Sequence, residues 1–208
     1  MIAQRSLAPF IVAMALVVVA SNVLVQYPVG FVLGDVNLGD ILTWGAFTYP
    51  VAFFVTDLTN RVFGPAKARK VVLAGFVIAV ALSIWLASPR IAIASGIAFL
   101  MAQLLDVSVF NALREGRWWR APLISSLAGS ALDTLIFFAL AFAPLFGALD
   151  FGGEDGSLGF AVKLLGVGSE VPLWISLALG DFLVKVLVGL AMLLPYAALA
   201  PYLGRAEA

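Results

Sequence analysis

Six stretches of roughly 20 mainly apolar residues follow one another along the chain. That repetition limits the fold more than any other feature, because a bilayer span needs about 20 such residues. Charges, prolines and glycines bound the stretches near 8–26, 40–61, 70–87, 91–113, 122–146 and 172–200. Of the 208 residues, 63% are hydrophobic and 12% charged, and the mean hydropathy is +1.09. Soluble domains sit near 45–50% apolar and about 25% charged. The chain is therefore expected to be an all-α integral membrane protein, with one membrane domain over 1–208 and six transmembrane helices. The amino-terminal run MIAQRSLAPFIVAMALVVVASNVLV exceeds the roughly 7–15 apolar residues of a signal-peptide core. It is expected to remain as the first helix.

Basic residues orient the spans, since short cytoplasmic loops collect Lys and Arg. With six spans, Arg5, Arg61, Lys67, Arg69, Lys70, Arg114, Arg117, Arg120 and Arg205 fall on one side. Arg90 and Lys163 are the basic residues of the other, beside Asp35, Asp40, Asp150, Glu154, Asp155 and Glu170. Both termini are expected in the cytoplasm. The Gly-rich, acidic stretch 147–171 faces outward, and a loop of that length either covers a site or moves.

Residue inventory narrows the chemistry. Cysteine and histidine are absent, which removes disulfides, thiol nucleophiles, the usual zinc ligand sets and any histidine base. No metal site is expected. The 12 basic and 12 acidic residues cancel, giving no basis for nucleic acid as a partner. There is no nucleotide-binding loop. An intramembrane aspartyl protease would need a GxGD element, whereas the nearest string, ALGDF, carries Ala178. The chain is expected not to be an enzyme.

What remains is a set of polar groups inside apolar spans. An ionisable residue at a span's centre costs on the order of 2.5–3.5 kcal/mol on insertion scales, so it faces a cavity or a partner. Asp57, Asp106, Asp133, Asp181 and Lys185 qualify. Positions three, four and seven apart share a helix face. Gln103 with Asp106, Ser126 with Ser130 and Asp133, and Asp181 with Lys185 therefore form stripes, joined by Asn22, Asn60 and Asn111. Structural readings stand beside the binding one. Asp181 and Lys185 can be an ion pair, Asp57, Asn60 and Arg61 a cluster fixing the end of the second span, and Ser126, Gly129 and Ser130 a packing seam. Trp44, Phe47, Tyr49 and Trp174 can stack on a flat ligand or mark the interface, where Trp118 and Trp119 are expected to anchor the other side.

Several strings together resemble one family, the queuosine precursor transporters, or vitamin uptake transporter family. They are SNVLVQYPV, TWGAFTYPVAFFVTDLTNRVFGPAKARK, RIAIASGIAFLMAQLLDVSVFNALREGRWWRAP, SSLAGSALDTLIFF and GDFLVKVLVGLAMLLP, and in order they fall on every expected span except the third, of which they reach only Lys70. The resemblance implies an importer of 7-deazaguanine bases such as preQ0, preQ1 or queuine in a bacterial inner membrane, surrounded by lipid and without a cofactor. It carries over as pattern positions Asp57 and Arg61, Gln103, Asp106 and Asn111, Asp133, and Asp181 with Lys185, while Asn60 joins the expected binding site from its place on the second span. Ser130 stands where the family pattern leads one to expect asparagine. In such a base an N–H and an exocyclic amine lie side by side, and one carboxylate, Asp106 or Asp133, can accept both. Asn22, Ser130, Trp44 and Phe47 complete the expected site. The runner-up reading is a substrate-binding subunit of an energy-coupling-factor vitamin importer, served by an external ATPase. The Ser and Gly seams permit a homodimer.

Overall fold

The computed structural model describes residues 6–34, 36–40, 42–151, 153 and 155–203. Arg5, Asp35, Glu154 and Arg205, used above to orient the chain, lie outside the described residues. Helices dominate: α1 Ala8–Leu24, α2 Gly45–Thr48, α3 Val51–Phe63, α4 Pro65–Leu86, α5 Pro89–Leu113, α6 Arg120–Phe142 and α7 Leu173–Leu203. Two small antiparallel hairpins sit in the connections. β1 Val32–Leu33 pairs with β2 Val36–Asn37 before α2, and β3 Ala161–Lys163 pairs with β4 Glu170–Pro172 before α7.

Among the described residues, α4, α5, α6 and α7 are long and apolar enough to cross a membrane, and α1 is an apolar helix of 17 residues. Their outward faces carry Leu16, Val77, Ile84, Leu135 and Leu187, all exposed. A fold in water would bury such side chains, whereas lipid solvates them. The chain is a multi-pass membrane protein.

The second predicted span, 40–61, is not a single helix. Leu38–Asp40 forms a 3-10 turn, Thr43 bridges Pro28, and helix begins only at Gly45. The apolar run had hidden this turn. Tyr49 and Pro50 then separate α2 from α3. Both keep helical dihedrals (φ −57°, ψ −41° and φ −61°, ψ −18°), but Pro50 has no N–H to give the ladder. Further along, the fifth span ends at Phe142 rather than 146, because Pro144 opens a 3-10 segment, Pro144–Asp150. The sixth runs on to Leu203 through Pro195 and Pro201. Between α3 and α4, Gly64 adopts φ +80°, ψ 174°, a region essentially confined to glycine. Pro65 follows as the first residue of α4, where its missing N–H costs nothing.

Packing brings the helix ends into register. Phe10 and Phe63 meet edge to face at 5.4 Å, Arg61 Nη1 donates to the Arg114 carbonyl at 2.8 Å, and Phe110 meets Tyr196 at 6.4 Å. The start of α1, the α3–α4 corner, the end of α5 and the later half of α7 therefore share one end. That end carries Arg61, Lys67, Arg69, Lys70, Arg114, Arg117 and Arg120, and we call it the basic end. Met14, Val18, Val55, Val71, Val72 and Phe99 build the core between α1, α3, α4 and α5. Close approach of α6 depends on Gly129, where a Cβ would stand 2.6 Å from the Phe53 ring and 3.2 Å from the Ala102 carbonyl. The expected small-residue seam thus lies within the chain.

At the opposite end the connection after α6 is tied down rather than loose. Arg90, the second residue of α5, is 1% exposed. Its guanidinium donates to the Leu140 and Ala143 carbonyls at 2.9 and 2.6 Å, to Asp150 at 2.9 Å and to Ser157 at 3.1 Å. Nearby, exposed Asp155 is held below the usual carboxylate range, chiefly by hydrogen bonds from the Ser157 hydroxyl and amide.

Candidate functional site

Two helices, α6 and α7, and the Tyr49–Pro50 junction converge on one cation. Lys185 of α7 is 4% exposed, and its ammonium has three hydrogens to place. They go to Asp133 of α6 at 2.6 Å, to Asp181 one turn earlier at 2.5 Å, and to the Thr134 hydroxyl at 3.1 Å. The Thr134 hydroxyl donates to Asp181 at 2.8 Å, and the Tyr49 hydroxyl donates to the other Asp133 oxygen at 2.9 Å. Lys185 Nζ also lies 5.3 Å from the centre of the Tyr49 ring, within reach of a cation–π attraction. Two carboxylates share one ammonium.

This cluster lies in the wall of a cavity of about 520 Å³, inside the roughly 300–1,000 Å³ range of small-molecule pockets. Tyr49, Asp133, Asp181 and Lys185 form its polar floor. From there it runs to the end of the bundle marked by Leu42, Leu86–Ser88 and Phe142. Asp133 is about 14 Å below Phe142 along α6, at 1.5 Å per residue. Apolar side chains line most of the walls, including Phe99, Phe137, Phe138 and Phe142. A polar belt crosses them, in which Ser83 donates to the Asn22 side-chain carbonyl at 3.3 Å and meets Ser95 at 3.2 Å. An apolar slot with a charged floor can take a flat ring between aromatic faces and accept its N–H groups below.

A second polar cluster lies nearer the basic end. Asp57 of α3 accepts the Ser125 and Ser126 hydroxyls of α6, each at 3.1 Å. Asp106 of α5 adjoins Asp57 and Ser125, yet neither of its oxygens receives a hydrogen bond at bonding geometry. Thr56 donates to Gln103 Oε1 at 2.6 Å, and Asn60 Nδ2 donates to the Val107 carbonyl at 3.0 Å. Gln103 Nε2 and Asn60 Oδ1 are left without partners. Between the two clusters is a gap of about 10 Å³ touched by Asp57, Ser126, Ser130, Lys185 and Tyr196, close to the least that holds one water.

A family model described as "Putative vitamin uptake transporter" matches residues 43–200, which include every residue of both clusters. The chain belongs to that family. It is 36% identical over 201 residues to the "Queuosine precursor transporter" of Escherichia coli (strain K12), across 86% of this chain and 79% of the relative. It is 32% identical over 206 residues to the "Probable queuosine precursor transporter" of Haemophilus influenzae, with the same shares covered. A Bacillus subtilis protein of that name is 31% identical over 134 residues, covering 51% of this chain and 58% of its own length. No solved structure matches the chain.

In this member of the vitamin uptake transporter family, the expected site residues divide into groups. Asp133, Asp181, Lys185 and Asn22 line the large cavity. Ser130 and Asp57 line the small gap, while Gln103, Asp106 and Asn60 are buried beyond it. Asn111 is placed elsewhere, exposed and bonded to Arg114 at 3.4 Å. Trp44 and Phe47 are also exposed, and they pack on each other at 5.7 Å outside the cavity lining. The expected cluster of Asp57 with Arg61 does not form, since Arg61 turns to the Arg114 carbonyl. Two residues of the floor and its surroundings, Thr134 and Arg90, fall outside the expected set, whereas Tyr49, expected to stack or to mark the interface, lines the cavity and gives its hydroxyl to Asp133.

Proposed function

We propose that this chain is a six-span transporter of the bacterial inner membrane, with both termini in the cytoplasm, that imports queuosine precursors of the 7-deazaguanine type and carries out no catalysis. The observation that carries this reading is the charged floor at span depth beneath an apolar, aromatic-walled cavity. The names of the Escherichia coli and Haemophilus influenzae relatives supply the substrate class. The basic end supports the orientation, and the broken second span, α2 with α3, together with α1, supports six crossings.

In this reading Asp133 and Asp181 accept the ring N–H and the exocyclic amine of the base, with Lys185 holding both carboxylates in place. Phe137, Phe138 and Phe142 offer stacking faces. The aminomethyl cation of preQ1 would meet whichever carboxylate the ring leaves. Binding exchanges the bonds of the floor for bonds to the base, so the closed network is what the ligand must open. No ATPase subunit is needed, and the chain alone in liposomes is expected to move the base.

The test is uptake of labelled preQ0, preQ1 and queuine by bacterial cells unable to make deazaguanines, with and without the chain. Uptake that requires the chain and is lost in Asp133→Asn, made at normal levels, is the expected result. Failure to take up any of the three bases would remove the substrate assignment.

A further inference from the structure

Asp57 and Asp106 are two neighbouring carboxyl groups, 2% and 0% exposed, at the meeting of α3, α5 and α6. Among the described residues neither is bonded to a cation, although both lie in the part of the fold nearest the basic end. Arg61 and Arg114 give donors to each other's carbonyls and to Asn111, and the remaining Arg114 Nε faces Glu115 at 4.0 Å rather than either carboxyl. Lys185 of α7, across the small gap, is taken by Asp133, Asp181 and Thr134. Tyr196 of α7 brings a hydroxyl without a partner, and α6 brings the Ser125 and Ser126 hydroxyls, both given to Asp57, with Ser130 on the gap beyond them.

Two like charges buried side by side without a counterion cannot both persist. The unpartnered atoms show what is missing. Asp106 has two acceptor oxygens with no donor, Asn60 Oδ1 is a further buried acceptor in the same state, and the unpartnered donors of this end, Gln103 Nε2, Arg114 Nε and the Tyr196 hydroxyl, make no hydrogen bond to either carboxyl. A proton on one of the carboxyls removes a charge and creates an O–H donor for the other.

We propose that the Asp57–Asp106 pair is a proton-binding site, linked through the gap lined by Ser126 and Ser130 to the Lys185 floor of the cavity, and that its occupancy couples proton movement to transport. The proton is the species carried, taken up by a carboxylate oxygen from one side and released to the other with no other bond changed. A base that rearranges Lys185 and Asp133 changes the groups lining the gap, and this is how the floor and the pair communicate. The proposal rests on the reading of the chain as a transporter.

Two measurements test it. In infrared spectra of the purified wild type in detergent, the pair gives a protonated-carboxyl stretch that is lost in Asp106→Asn. Asp57→Asn serves if that variant does not fold. A spectrum without the band, or a band unchanged in both variants, overturns the proton site irrespective of transport. In liposomes holding the chain alone, uncharged preQ0 is concentrated by an inward proton gradient, by about tenfold per pH unit if one proton moves with each base. Asp106→Asn, still binding preQ0 in a thermal-shift titration, concentrates none. Wild type that equilibrates preQ0 without concentrating it, or that responds to a sodium gradient instead, overturns the coupling but leaves the transport reading standing. Wild type that neither binds nor moves the base removes both.

Discussion

The cavity floor and the deeper carboxyl pair are built on neighbouring turns of the same bundle, yet they treat burial in opposite ways. At the floor, Asp133 and Asp181 have a cation between them, and Thr134 and Tyr49 supply further donors. At the pair, Asp57 has two serine hydroxyls and Asp106 has no hydrogen bond to either oxygen. Buried charges are tolerated when paired and hydrogen-bonded, and a group lacking both changes its protonation instead. The difference separates a network that ligand must open from a site whose missing partner is small. It also explains why the two sets of carboxylates, indistinguishable as aspartates in apolar helices, are assigned different work.

The largest effect should come from taking away the shared cation. Lys185→Met leaves two buried carboxylates facing each other, and removing one partner of a buried ion pair typically costs about 3–5 kcal/mol. Thermal unfolding in detergent should show a strongly lowered midpoint, and a midpoint equal to wild type would mean that the floor is not the closed network described. Asp133→Asn should be milder in stability, because Asp181 still holds Lys185, while uptake is abolished. If stability falls and uptake persists, the floor is structural. Tyr49→Phe removes one hydrogen bond to a charged group, worth about 1.5–3 kcal/mol; weaker binding of the base with a modest loss of stability is expected in a titration.

Smaller effects sharpen the contrast from the other cluster. Asp106→Asn, which removes a charge that has no cation, should leave the unfolding midpoint unchanged or raised, the reverse of the Lys185 result. A fall as large as that of Lys185→Met would erase the distinction between the clusters. Trp44→Ala should change uptake least, since Trp44 is 40% exposed and lies outside the cavity lining.

Some of this arrangement was legible along the chain. The four-residue spacing of Asp181 and Lys185 announced a pair on one helix face, and the 2.5 Å contact realises it. Gln103 and Asp106, three apart, do share a buried face. Arg61 illustrates the limit of the same rule. It stands one turn after Asp57, the right spacing for an ion pair, but the Arg114 carbonyl, 53 positions away just past the end of α5, takes its guanidinium. Local spacing says which side chains could meet, not which competitor from elsewhere arrives. The second span misled for another reason: apolarity is shared by helix, turn and extended chain alike, so Leu42 and Thr43 read as helix until their bonds to Val29 and Pro28 are seen.

By itself the sequence determined the solvent, the class of fold and the inventory of groups that can act, because span length, charge placement and the absence of His and Cys are properties of residues counted in order. Tertiary structure alone decided the partners. Asp133 and Lys185, 52 positions apart, and Tyr49, 84 positions from Asp133, become one network only when α6, α7 and the Tyr49–Pro50 break are packed together. Whether a buried carboxylate ends beside a cation, as Asp133 does, or without one, as Asp106 does, depends on helix rotation and contact, which no periodicity within a single helix encodes.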